Sequence, residues 1–174
     1  MAASYLPSDL YRKLFERDSS TVTLCPRALY SSELTQQIKN LKLPDGSNAP
    51  PALLASLYLL NDDMKSAHTI AEPMYDKDIY DCDYQHGLVH IRDGDYWNAQ
   101  WWFRRITRTT GPLLMKNYPA ATSVEAAGTI AEEFVNECER VGKGSSKGHV
   151  LEKQLYMQMK EAAEWSIQEF VVKK

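Results

Sequence analysis

The chain is short of the residues that staple a protein or anchor it. Its three cysteines, Cys25, Cys82 and Cys138, are odd in number and far apart. That spacing excludes a disulfide framework and a CxxC metal site, and it fits a reducing compartment. No run of about 18 or more apolar residues occurs, so no membrane span and no membrane partner is expected. The opening residues, MAASYLPSDLYRKLFERD, reach a proline and then charges before any apolar stretch forms. They read as neither a secretion signal nor an anchor. Charge of one sign is not in excess: 20 lysines and arginines against 23 aspartates and glutamates leave a net charge of −3. Nucleic acid is therefore disfavoured as a partner. Long stretches of period-two alternation are missing as well, which argues against strands. What remains is a composition with 44% apolar and 25% charged residues, ordinary for a protein folded in water. At 174 residues it reads as one domain, able to bury roughly 70% of the surface its unfolded chain exposes. The expected location is cytoplasmic, or cytoplasmic and nuclear.

What is present is helical periodicity. Residues 8 to 17 place Leu10, Leu14 and Phe15 on one side of a short helix, and residues 19 to 30 read as irregular or briefly extended. Leu34, Ile38 and Leu41 recur at i, i+4, i+7 in a helix from about Ser31 to Leu43. PDGSNAPP (44–51) is the clearest break, and Pro51 suits the first turn of the helix ALLASLYLLN. MKSAHTIAE follows, with Asp62 or Asp63 as its cap. PMYDKDIYDCD (73–83) reads as an acidic loop. Two helices cover about 83–93 and 96–108, and Gly111-Pro112 stops the second. Thr122 and Glu125 have capping-box spacing for a helix from Ser123 to about Val141. GKGSSKG lacks the order of a phosphate-binding loop. A last helix spans about 150–171, with Leu151, Leu155, Met159, Ala162 and Phe170 at helical spacings. The expected fold is all-α, a bundle of about seven helices. Residues 1–48 carry N-terminal helices and a linker, 50–108 two hairpins, and 122–172 a C-terminal helical pair.

The two central hairpins repeat weakly at a spacing of 32 residues. Ala55, Tyr58, Asp62, Ala67 and Ala71 fall opposite Gly87, His90, Gly94, Ala99 and Phe103. The second unit resembles a tetratricopeptide (TPR) motif. A small residue at Gly87 lets its two helices approach, Gly94 makes the turn, Asp95 caps the second helix, and Phe103 fills the groove between units. The period is not the usual 34 and Ile106 replaces a small residue, so the expectation is TPR-like hairpins. LLNDDMKSAHTIAE followed by HGLVHIRDGDYWNAQWWFRRI also resembles a family of small helical proteins of fungi and bacteria that carries an HGxxHRxxxDxxNAxxWxRR-like run. The resemblance extends over roughly residues 50–165 and departs from the pattern at Ile91, where arginine is usual. It implies an all-helical fold and carries over no particular activity.

His86 and His90, at i and i+4, share a helix face in the manner of paired metal-binding histidines. Asp83 lies three residues before His86, and His68 is the natural further ligand. Two histidines and a carboxylate suffice for zinc or non-haem iron. HGLVH lacks the glutamate of HExxH, however, and the stronger reading makes His90 a packed ring that satisfies a polar contact, for instance with Asn98 or Asp63. Asp76, Asp78, Asp81 and Asp83 lack the glycine and closing glutamate of a calcium loop. Trp97, Trp101, Trp102, Tyr96 and Phe103 surround one helix, which should then lie at the centre of the bundle. Arg104, Arg105 and Arg108 favour that helix's C-terminal dipole, or with Arg92 bind a carboxylate or phosphate. Cys82 and Cys138 read as inert small residues, and no nucleophile with its base is legible.

Two functional readings follow. The first is a non-enzymatic helical domain that holds a protein segment or small anionic ligand in a groove or polar pocket between hairpins. Asp63, His68, His86, His90, Arg92, Asn98, Trp102 and Arg105 line that pocket, and no cofactor is favoured. The second is a small enzyme, or a metal- or anion-binding protein, centred on His86 and His90. It brings in zinc or iron, with Asp83, His86, His90 and His68 as ligands.

Overall fold

The computed structural model describes residues 4–75, 82–109, 111–142 and 148–173. Among these residues there are nine α-helices and no strand: α1 (Ser8–Phe15), α2 (Ser32–Lys39), α3 (Pro51–Leu60), α4 (Met64–Tyr75), α5 (Asp83–Asp93), α6 (Tyr96–Ile106), α7 (Pro112–Asn117), α8 (Val124–Gly142) and α9 (Gly148–Ile167). The protein is all-α, as its periodicity requires. No described helix is long and apolar enough to cross a membrane. Asp76, Asp78 and Asp81 of the acidic loop, and most of the GKGSSKG turn, lie outside the described residues.

Local chemistry accounts for the helix ends. The Ser31 hydroxyl accepts the Leu34 N–H (3.3 Å) to start α2. That helix stops at Lys39, short of the expected Leu43. Leu41 and Leu43 are still buried, because the chain leaving α2 turns them inward on either side of Lys42, which forms a bridge to Asn48. A helical spacing of apolar residues therefore outran the helix itself. α4 runs on through Pro73 to Tyr75. Proline in a helix loses its own bond to the preceding turn and crowds the carbonyl four residues back, and here it stands only two residues from the helix end. At α8 the cap is Ser123, whose hydroxyl accepts the Ala126 N–H (3.2 Å), and not Thr122. The short α7 was missed: Pro112 is its first residue, so the proline that stops α6 also starts the next helix.

Two hairpins, α3–α4 and α5–α6, pack side by side through α4 and α5. α9 lies across α3, α5, α7 and α8, and α8 covers α6. The 32-residue correspondence is visible in the turns. Asp62 (φ 57°) and its counterpart Gly94 (φ 77°) both take the left-handed conformation. The following aspartates both cap the next helix: Asp63 accepts the Ser66 N–H (3.1 Å) and Asp95 the Asn98 N–H (3.3 Å). Gly87 lies directly against the Phe103 ring, where an added Cβ would sit 3.1 Å from Cζ. Phe103 thus fills the space inside its own hairpin, whereas it was expected between the units.

The centre of the bundle is also not where the aromatics suggested. All of α5 from Asp83 to Arg92 is buried, and so are Ala52, Leu53 and Ala55 to Leu60 of α3. α6 is peripheral, with Trp97 72% and Trp101 36% exposed. Trp97 and Trp101 occupy an outer face, while Ala99, Trp102, Phe103 and Ile106 turn inward. Charged groups also reach the interior. The Asp62 carboxylate receives Arg92 of α5, and Arg17, just beyond α1, at 2.9 Å; all three side chains are at most 6% exposed.

Candidate metal centre

α4 and α5 face one another with His68 on the first and His86 and His90 on the second. Four residues along a helix turn through about 400°, or one turn plus about 40°, so His86 and His90 share a face. Their rings stack at 5.0 Å between centroids, 11° from parallel. His68 approaches both edge-on, at 4.6 Å from His86 and 5.4 Å from His90. One ligand nitrogen from each of the three falls within 4.8 Å of the others. Trp102 of α6 closes the inner side by stacking on His86 at 3.8 Å.

The surroundings hold His86 and His90 as neutral bases. Burial, then the neighbouring His90 and His68, pushes His86 down to about 3. Burial and His68 lower His90, against the opposing pull of Asp95 and Glu72. Neutral imidazole is the form that donates a lone pair to a metal. Carboxylates stand behind two of the rings: Glu72 lies 3.7 Å from Nδ1 of His68, and Asp95 lies 3.6 Å from Nδ1 of His90. Drawn into hydrogen-bond range, a carboxylate behind Nδ1 favours the tautomer with its lone pair on Nε2, the arrangement common around zinc-binding histidines. His86 is 3% exposed, and its Nδ1 has no hydrogen-bond partner. Leaving such an atom unsatisfied costs about 1–3 kcal/mol.

Three imidazoles are a donor set suited to zinc. Tetrahedral zinc at about 2.0–2.1 Å would need nitrogens about 3.3 Å apart, so the rings must draw in somewhat from their present spacing. His68, with a side chain 32% exposed, opens the cluster toward solvent.

The expected pocket therefore forms in part. Asp83 is not in the cluster: it accepts Arg105 Nε at 3.0 Å, because the N-terminal end of α5 faces the last turn of α6. This removes the carboxylate that a two-histidine, one-carboxylate iron centre requires. Arg92 is absent as well. Two positions beyond His90 is about 200° round the helix, which points it to the opposite side and Asp62. Arg105 stays at Asp83, with its guanidinium 4.6 Å over the Tyr75 ring. Asp63 is occupied as the α4 cap and by the Thr35 hydroxyl (3.0 Å). Asn98 leans on Asp95 (3.4 Å) and not on His90. Of the eight pocket candidates, His68, His86, His90 and Trp102 come together. Glu72 and Tyr75 were missed. Glu72 stands four residues after His68, a legible signal, whereas Tyr75 was hidden in a segment read as loop.

No family model matches the chain, and no curated protein or solved structure shows significant similarity to it.

Proposed function

We propose that this protein binds a divalent transition metal, zinc by preference, through His68, His86 and His90. Of the two readings the sequence offers, the geometry favours the second. The observation that carries it is the convergence of three imidazole nitrogens from two helices within 4.8 Å. Two of the rings are backed by carboxylates and the third has an orphaned nitrogen. A packing role alone does not require three imidazoles to face each other, two of them buried where the charged form is disfavoured. With three protein ligands the fourth position stays open, as in zinc sites that polarise a bound water or substrate rather than only brace a fold. The TPR-like hairpin pair is the scaffold in this reading, with the packing of α4 on α5 bringing the three histidines together.

The test is metal content by mass spectrometry, with thermal melts before and after chelation. About one zinc per chain is expected, with a melting temperature that falls when the metal is removed. His68→Ala decides between ligand and packing, since its side chain is a third exposed and contributes little to the core. It should weaken zinc about ten-fold or more while leaving the melt of the metal-free protein unchanged. Wild-type protein without affinity for zinc, or His68→Ala binding it equally well, overturns the reading.

A further inference from the structure

The outer face of α6 carries a second feature that the histidine cluster does not use. Trp97, Trp101, Arg104, Arg105 and Arg108 line a concavity of about 280 Å³. Their positions, at steps of four, three or four, and three along the chain, put two indoles and the following arginines on one side of the helix. Two tryptophans left this open in water are unusual, because their large apolar surface is normally covered.

The cations are held in place to different degrees. Arg105 is fixed by Asp83 at 3.0 Å and by the Tyr75 ring. Arg104 is oriented by the Gln100 carbonyl (3.3 Å) with Glu132 3.8 Å away. Arg108 extends from the turn after α6 and is exposed. Arg104, with a side chain 53% exposed, and the exposed Arg108 present their guanidinium groups to solvent beside the indoles, on a chain whose overall charge is −3. The helix dipole accounts for arginines near a C-terminus. It does not account for the bare indoles beside them.

We infer that this concavity binds a small phosphate monoester carrying a flat ring, with the ring on Trp97 and Trp101 and the phosphate on the arginines. Indole faces stack on any planar ring. Guanidinium forks match phosphate oxygens two at a time, and a dianion suits several arginines better than a single carboxylate does. The volume, just below the usual range of about 300–1,000 Å³ for ligand pockets, fits a small molecule. The acidic balance of the whole chain disfavours a nucleic acid strand. This site is independent of the metal reading, although Tyr75 touches both Trp101 and Trp102 at 5.7 Å and so lies between the two.

The experiment is titration of metal-free protein with phenyl phosphate, followed by tryptophan fluorescence and calorimetry, beside inorganic phosphate and phenol as its two halves. Phenyl phosphate should bind at least about ten-fold more tightly than either half. Trp97→Ala and Arg108→Gln should each weaken it by about ten-fold or more with unchanged melting temperature, since both side chains are exposed. Using chelated protein keeps the outcome separate from that of the zinc measurement. Three results overturn the inference: no binding of phenyl phosphate, equal binding of phosphate alone, or unaltered affinity in both variants. Tight binding of a short single-stranded oligonucleotide without binding of phenyl phosphate also overturns it, by assigning the face to a macromolecule.

Discussion

His86 shows how a neighbourhood changes a side chain's chemistry. In an unfolded chain it titrates near 6.5, but between His68, His90 and Trp102 it is pushed down to about 3. In the metal-free protein, lowering the pH from 6.5 toward 3 protonates this group in the unfolded chain while the native one stays neutral. The unfolded state then binds more protons, so stability is lost as pH falls through this window and is fully present above it. His90, also lowered, acts in the same direction. His86→Phe retains a ring to stack on Trp102 and removes the titration. Thermal melts in chelator from pH 7.5 to 4 should therefore fall less steeply for this variant than for wild type, and equal slopes would contradict the assignment. The pairing of His86 with His90 was legible, since i, i+4 spacing defines a face. The arrival of His68 was a suggestion only, because its helix had first to be placed against α5. The rejection of Asp83 was not legible at all, as its partner Arg105 stands 22 residues away.

The hairpins show how two helices of ordinary propensity are held at one spacing. Gly94 ends α5 at φ 77° and its own position permits no easy side chain, whereas Gly87 is small because Phe103 lies on it. These two glycines predict different losses. Gly94→Ala forces Cβ into the left-handed region and should cost about 1–2 kcal/mol. Gly87→Leu must displace the Phe103 ring and should cost about 1–3 kcal/mol, with rearranged packing of α6. Phe103→Ala leaves a cavity in the same place and should cost about 3–5 kcal/mol. Urea unfolding of the three variants measures the series, and a neutral Gly87→Leu would show that the hairpin does not depend on close approach. Helix centres were legible here because periodicity and capping are local. Ends were less so: α2 stopped early while Leu41 and Leu43 stayed in the core, and α4 continued through Pro73.

Across the molecule, the buried ionic triad joins three parts that the chain keeps apart. Arg17 follows α1, Asp62 turns α3 into α4, and Arg92 lies on α5; Arg92 also reaches the Met159 sulfur of α9 at 3.5 Å. Burial pulls Arg92 down to about 10, with Asp62 resisting, so the group stays charged at neutral pH. Asp62→Asn keeps a residue tolerant of positive φ but leaves two buried cations without their counter-charge. It should cost about 3–5 kcal/mol in denaturant unfolding, and a loss below about 1 kcal/mol would mean that water reaches the arginines. By itself the order of residues determined the all-α class, the approximate course of most helices, the 32-residue hairpin repeat and the shared face of two histidines. All of these depend on contacts within a few turns of chain, where geometry is set by 3.6 residues per turn and by caps. Only the tertiary structure decided that α3 and α5, not the aromatic-rich α6, form the interior, and that His68 and not Asp83 completes the cluster. It also decided that Arg92 belongs to Asp62. Those outcomes depend on which helices meet and at what rotation, a competition between distant burial and charge pairing that no local pattern encodes.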